Sequence, residues 1–162
     1  MFALERITAS NSALYADGVA ALESVYPEEL RSDRDDIFEM FIMEGCVAFA
    51  ALADGKVAGA VFGFPPDAEK AASYNLSDIV REGDIYLESI TVGPSLQGQG
   101  AGLALIRAFA DGAKAAGFRR IVGHFRKNGS LHLAKKLGGI EIRTEHDWFG
   151  TGEDFVCCVC GL

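Results

Sequence analysis

One stretch limits the fold more than any other, because a β-rich run, three closely spaced glycines and a widely apolar helical run follow one another directly. DIYLESITV (84–92) precedes Gly98, Gly100 and Gly102, and AGLALIRAFADGAKAAG (101–117) begins within the glycine run. The helical run leaves only one narrow polar stripe, so it must be buried against a sheet. The chain is therefore predicted to be an α/β protein with these glycines at a strand-to-helix junction.

Such a junction suits a phosphate group. Backbone N–H donors without intrahelical partners converge at a helix N-terminus, where the helix dipole is positive and glycine leaves the approach open. An ordinary turn would also account for one or two of the glycines. Their G-x-G-x-G spacing differs from the Rossmann fingerprint, and no P-loop Lys-Ser/Thr follows. A different phosphate-bearing ligand is predicted.

Length, composition and net charge indicate the number of domains and the class of protein. With 162 residues, 49% of them hydrophobic, the chain is predicted to form a single domain over residues 1–162. The longest apolar run, CVAFAALA (46–53), is shorter than the roughly 20 residues of a membrane helix, and no signal peptide is recognisable, so a soluble, cytoplasmic protein is expected. The net charge of −8 disfavours nucleic acid and would attract a cation, although it also serves solubility.

The cysteines and the remaining elements complete the pattern. The cysteine spacing matches neither a zinc site nor a disulfide framework, so no metal is predicted.

The first helix is expected to bury Leu14, Leu22 and Val25. Asp54-Gly55 predicts a two-residue hairpin turn. Ahead of the glycines, hydrophobic patterning predicts a strand at 2–8, helices at 10–26 and 35–44, hairpin strands at 46–53 and 56–64, and a partly helical connection at 67–83 that either covers a site or is inert.

The segment ITVGPSLQGQGAG (90–102) resembles the signature of the GCN5-related N-acetyltransferase family. In that family a strand ending in apolar-x-Val leads into Arg/Gln-x-x-Gly-x-Gly/Ala, which binds the pyrophosphate of coenzyme A, and Gln97, Gly100 and Gly102 fill these positions. RRIVGHF (119–125), Asn128 and SLHLAKKLGGIEI (130–142) are similar to the strand, asparagine and helix that follow. The resemblance covers residues 84 to 142, and the preceding order of elements agrees with it.

The resemblance implies a single α/β (α+β) domain with a mixed sheet of six to seven strands, a splay between strands 4 and 5, and about four helices. Acetyl-CoA would be the co-substrate, with its pantetheine arm in the splay and the N–H of Ile90 facing the thioester oxygen. The residues implied to bind it are Ile90, Thr91, Val92, Gln97, Gly98, Gln99, Gly100, Ala101, Gly102 and Asn128.

Glu88 is the predicted catalytic residue. Period-two alternation places it on one strand face with Tyr86, Ile90 and Val92, and burial among apolar neighbours would raise its pKa toward that of a general base. IYLE followed by Val92 is also similar to the polyamine-acetylating branch of the family, in which a glutamate at this position has that role. A solvated or ion-paired glutamate is the alternative.

The predicted function is therefore transfer of an acetyl group from acetyl-CoA to a primary amine of a small cationic molecule, by direct attack in a ternary complex. A protein or peptide acceptor and a non-catalytic acyl-CoA sensor stay open. The helix tyrosine that often protonates the leaving thiolate in this family is absent, since Ala134 or Lys135 stands there, with Ser130 and His132 as nearby substitutes.

Two expectations concern the C-terminal segment. Trp148 is expected to pack in the core or at an interface, because a strand tryptophan usually does so. FVCCVC (155–160) is predicted to be a closing strand, and the family's pairing through its C-terminal strands implies a homodimer.

Overall fold

The computed structural model describes all 162 residues and contains a seven-stranded mixed sheet. The strands are β1 (Ala3–Ile7), β2 (Val47–Ala53), β3 (Lys56–Phe64), β4 (Asp84–Val92), β5 (Arg120–Arg126), β6 (Ile140–Glu145) and β7 (Phe155–Gly161). The helices are α1 (Ser12–Leu22), α2 (Arg34–Ile42), α3 (Ala68–Ser73), α4 (Ala101–Ala115) and α5 (Gly129–Lys136). No helix is both long enough and apolar enough to cross a membrane.

The sheet splays in its middle. Its strand order is β1-β2-β3-β4-β5-β7-β6, and only β4 and β5 run parallel. These two strands pair over Asp84–Leu87 and Arg120–Gly123, yet β4 continues to Val92 and β5 to Arg126. The predicted mixed sheet and its splay are confirmed, with five helices where about four were expected.

Helices cover both faces of the sheet. α4 and α5 pack with the largest core cluster, while α1 and α2 pack on the opposite face of β2 and β3. The predicted hairpin is confirmed, because Asp54 (φ 49°) and Gly55 (φ 73°) both adopt the left-handed conformation of a type I′ turn. The junction between β4 and α4 is therefore held at the sheet centre, beside the splay.

The predicted face of α1 is wrong. Leu14 is 75% exposed and Val25 is 52% exposed, whereas Tyr15 and Val19 are buried. Alanines are distributed around this helix and make several of its faces apolar, so contacts with the rest of the protein decide which face is buried. One such contact is the Tyr15 hydroxyl, which donates to Glu5 at 2.7 Å.

A β-bulge in β4 changes the direction of the side chains around Glu88. Ser89 pairs with Phe62 and Leu87 pairs with Gly63, so Glu88 has no partner of its own on β3. The extra residue interrupts period-two alternation. Ile90 packs with the α4 side of the core, while Tyr86 packs on the opposite side. The prediction that Glu88 shares a face with Ile90 and Val92 is therefore wrong.

Candidate active site

The glycine loop presents a row of unpaired backbone donors. Gly98 (φ 76°) and Gly100 (φ 79°) are in the left-handed conformation, and a Cβ on either would meet nothing within 4 Å. The amide groups that make no hydrogen bond within the protein are those of Gly98, Gly100, Ala101, Gly102 and Leu103. Gly100 is the N-cap of α4, so these donors lie at the positive end of the helix dipole. The loop fits the pyrophosphate of a coenzyme A molecule.

Backbone groups of β4 face the splay at alternate residues. The Gly93 N–H donates to the Ala58 carbonyl of β3 at 2.7 Å. Alternation along an antiparallel strand then directs the Thr91 backbone toward β3 and the backbones of Ile90 and Val92 away from it. The Ile90 carbonyl accepts from the Tyr26 hydroxyl at 3.0 Å, which agrees with this direction. Ile90 and Val92 therefore offer backbone groups to the gap, and Thr91 does not.

The other predicted coenzyme A residues lie around the same junction. Gln97 and Gln99 are exposed, and the Gln99 amide donates to the Ser95 carbonyl at 2.8 Å. Asn128 is the N-cap of α5, where its side-chain oxygen accepts from the Ser130 N–H at 2.9 Å. The Asn128 side-chain oxygen is therefore occupied in capping α5.

A cavity of about 270 Å³ lies on the α1 and α3 side of the splay and reaches the gap at Ile90 and Phe125. Glu88 is in its wall. The Tyr74 hydroxyl donates to both Glu88 oxygens, at 2.9 and 3.2 Å. Burial raises the pKa of Glu88, while the charge of Lys70 and the hydrogen bond from Tyr74 partly oppose that rise. Glu88 forms no ion pair, so it is a partly desolvated carboxylate open to a proton or a cation.

A second carboxylate, Glu23, lines the same cavity. It is only 4% exposed, and its Oε1 accepts from the Ser89 hydroxyl at 2.6 Å. Burial raises the pKa of Glu23 to about 7; the Ser89 hydrogen bond opposes this rise, and the charge of Glu88 adds to it. Sequence reasoning missed Glu23. Its only sequence signal is an acid at the C-terminal end of a helix, where the dipole disfavours negative charge.

Aromatic side chains form another wall of the cavity, and sequence reasoning missed them as well. His124 stacks on Trp148 with ring centroids 4.1 Å apart, and Tyr74 packs against Tyr86 at 5.0 Å and Phe149 at 5.8 Å. Trp148 thus borders the cavity, where the sequence suggested only core or interface packing. No local pattern could reveal this wall, because its members come from four separate segments of the chain.

His124 is a neutral member of that wall. Its side chain is 2% exposed, and burial lowers its pKa to about 4, an effect that the charge of Glu145 partly offsets. Its Nδ1 lies 2.8 Å from the Tyr86 hydroxyl. In the neutral ring one nitrogen carries a hydrogen and the other does not, so the tautomer decides whether the Tyr86 hydroxyl or the His124 Nδ1–H is the donor.

The two proposed substitutes for the missing helix tyrosine lie in different surroundings. Ser130 borders the cavity, whereas His132 is exposed and lies outside it. Ala134 is buried in the core, and Lys135 pairs with Glu141 at 3.4 Å on the surface. Among these positions, only Ser130 places a hydroxyl beside the gap.

Comparison with known proteins identifies the fold and the family. Residues 13–139 match the sequence model of the Acetyltransferase (GNAT) family. The chain belongs to this family. A search of curated proteins finds no significant match. As a GNAT acetyltransferase, the protein is an enzyme that uses acetyl-CoA as its co-substrate, which agrees with the open glycine loop and the splay.

Solved structures with low sequence identity share the GNAT fold. The polyamine N-acetyltransferase of Drosophila melanogaster superposes with a TM-score of 0.76 at 16% identity, over 100% of both chains. Arabidopsis thaliana NAA60 in complex with acetyl-CoA gives 0.74 at 17% identity, over 100% of this chain and 99% of that one. The ribosomal-protein-S18-alanine N-acetyltransferase of Escherichia coli gives 0.73 at 16%, over 99% and 94%.

Proposed function

We propose that the enzyme acetylates a primary amine of a small cationic molecule by direct attack in a ternary complex with acetyl-CoA. The observation that carries this proposal is the pair of carboxylates, the buried Glu23 and the half-buried Glu88, in one cavity that reaches the splay. Neither carboxylate forms an ion pair with a lysine or arginine of the chain. Burial disfavours the ionised form of both carboxylates, and hydrogen bonds together with the charge of Lys70 offset this only in part, so a ligand that brings a positive charge would stabilise them.

In the proposed reaction, Glu88 accepts a proton from the acceptor ammonium, so that the nitrogen lone pair becomes available for attack. The Ile90 N–H, which faces the gap, donates to the thioester oxygen as negative charge develops there. The new N–C bond forms as the C–S bond breaks. The nitrogen then loses a second proton as the amide forms, and this proton balances the one that the departing sulfur takes up. The free amides of Gly98, Gly100, Ala101, Gly102 and Leu103 hold the pyrophosphate end.

The aromatic wall supports a cationic acceptor. Faces of tyrosine and tryptophan attract ammonium groups, and the attraction strengthens when the site is desolvated. The net charge of −8 would also raise the encounter rate with cations. The polyamine N-acetyltransferase of Drosophila melanogaster, which forms N-acetylagmatine, supports the same class of acceptor.

A peptide N-terminus is the second candidate acceptor. The Escherichia coli relative in fold is named for alanine of ribosomal protein S18. The cavity mouth also lies between the turn Glu28–Leu30 and the turn Trp148–Gly150, which contact each other and leave Leu30 and Phe149 at the rim. An extended peptide would need to pass between these two turns.

Release of free thiol from acetyl-CoA separates these acceptors. The panel comprises agmatine, 1,4-diaminobutane, n-butylamine, glycine and an alanine-initiated peptide, each measured as kcat/KM. We expect the three small amines without a negative charge, agmatine, 1,4-diaminobutane and n-butylamine, to react better than the peptide, and glycine, which carries an anionic carboxylate, to react worst. A preference for the peptide, or equal rates for all five, would contradict the proposal.

A further inference from the structure

We propose that Glu23 forms a second cation site in the cavity, so that the enzyme prefers acceptors that carry two ammonium groups. This inference rests on the proposed function, because it assumes that the cavity receives the acceptor. It goes beyond that function in naming the acceptor class, a short diammonium chain, and the residue that selects it.

Glu23 has no structural partner that would account for its charge. Its Oε1 accepts from the Ser89 hydroxyl at 2.6 Å, which is the only hydrogen bond that the protein makes to the Glu23 carboxylate. The two arginines of the cavity are engaged elsewhere. Arg126 donates to both Glu153 oxygens at 2.7 and 2.8 Å, and the Arg31 Nε donates to the Tyr26 carbonyl at 2.7 Å. Neither arginine supplies a positive charge to Glu23, so a cation that binds the ionised carboxylate would come from a ligand.

Glu23 and Glu88 enter the cavity from different walls. Glu88 extends from the bulge of β4 to the Tyr74 hydroxyl, on the α3 side. Glu23 follows α1 and is held against Ser89, on the side of Tyr26. The charge of Glu88 reaches Glu23 strongly enough to raise its pKa. Two carboxylates held by separate partners match two charges at the ends of one molecule.

The space between them suits a short chain. The cavity volume of about 270 Å³ is at the lower end of small-molecule sites, which run from roughly 300 to 1,000 Å³. Its wall includes Phe62, Tyr26 and Tyr86, whose rings offer apolar contact for methylene groups. A linear diammonium alkane would place one nitrogen at Glu88 for transfer and the other at Glu23.

The test compares 1,4-diaminobutane with n-butylamine, which has the same chain and a single charge. Calorimetry measures the binding of each to the complex of the enzyme with coenzyme A, and thiol release from acetyl-CoA measures kcat/KM. The variant is Glu23→Gln, which keeps an acceptor for Ser89 and removes the charge. The control is Glu28→Gln, an exposed acid of the same segment outside the cavity.

For the parent enzyme we expect at least tenfold tighter binding of the diamine than of the monoamine. Glu23→Gln should remove most of this preference and change the affinity for n-butylamine less than twofold, and Glu28→Gln should change neither. Equal loss for both ligands would mean that Glu23 and Glu88 share one ammonium, and a parent without preference would also overturn the inference. Acetylation of n-butylamine by parent and Glu23→Gln alike would leave the proposed function standing in either case.

Discussion

At the residue scale, Glu23 couples the stability of the fold to pH. Burial raises its pKa from 4.5 to about 7. Between these values the folded state holds a proton that the unfolded chain has released. The free energy of unfolding therefore falls as pH rises through this window, and it levels off above about 7.

Removing that carboxylate should stabilise the enzyme only at the alkaline end of the window. We expect Glu23→Gln to raise the free energy of unfolding at pH 8 by at most on the order of 3 kcal/mol and to change it little at pH 4. Urea unfolding at the two pH values checks this, with Glu28→Gln as the control. Equal destabilisation of the variant at both pH values would contradict this expectation, because ionisation of the buried Glu23 carboxyl would then cost the folded state nothing at pH 8.

The directions of Glu88 and Thr91 could not be predicted from the sequence of their strand alone. Local patterning placed Glu88 on a central strand, but its direction depends on a bulge that forms only when β3 pairs with β4. Gly63 marks that close pairing, since a Cβ there would lie 2.1 Å from the Tyr86 carbonyl oxygen. The family resemblance implies that Thr91 binds coenzyme A together with Ile90 and Val92, but the backbone of Thr91 faces β3. Which backbone groups face the gap follows from the register with β3, and no single strand contains that information.

At the element scale, the start of α4 is the part of the site that the sequence describes best. A strand, a glycine loop and a buried helix follow one another, so the anion site is local and needs no long-range contact to be foreseen. The hairpin at Asp54-Gly55 is local in the same sense. The buried face of α1 depends on long-range contacts, because alanines make several faces of this helix apolar. The cavity depends on long-range contacts as well, because its walls come from distant segments.

A negative charge in the glycine loop should weaken coenzyme A binding. We expect Gly100→Asp to weaken acetyl-CoA binding at least tenfold, because the new carboxylate repels the pyrophosphate, while Gly100→Asn should weaken it less. Asp and Asn tolerate the left-handed conformation better than other side chains do. Calorimetric titration with acetyl-CoA measures the effect.

The control for backbone strain is Gly117→Asp. Gly117 has φ 93° and follows the other end of α4, and a Cβ there would also meet nothing within 4 Å. This variant should bind acetyl-CoA as the parent does. If Gly100→Asp binds as tightly as Gly117→Asp, the pyrophosphate does not lie on this loop.

At the scale of the whole molecule, the sheet edges determine how two copies would meet. β7, the predicted pairing strand, lies between β5 and β6 and has both edges paired. The outer edge is β6, where Ile140 is 67% exposed and Ile142 is 46% exposed. An edge strand with exposed apolar side chains is suited to pairing with another copy. A homodimer stays a prediction, and β6 replaces β7 as its expected contact.

Light scattering at micromolar concentration checks this prediction. We expect a mass of about twice the 17.3 kDa of one chain, and we expect Ile142→Lys to return the mass to that of one chain. Glu39→Lys, on the distant helix α2, is a control for the added positive charge. A parent protein that stays at the monomer mass would contradict the prediction.

The proposed role of Glu88 depends on all of these features, since a bulge directs the side chain, burial raises its pKa and the cavity would bring the acceptor to it. The direct measurement is the pH dependence of kcat/KM for a small cationic amine, with the parent, Glu88→Gln and the control Glu29→Gln, an exposed acid at the mouth of the same cavity. For the parent we expect kcat/KM to rise with pH as Glu88 ionises, above the ordinary carboxyl range because its pKa is raised. Glu88→Gln should lose this rise and lower kcat/KM by about 10² to 10⁴ with acetyl-CoA affinity unchanged, whereas Glu29→Gln should keep the rise. A Glu88→Gln profile that superimposes on that of the parent would contradict the account.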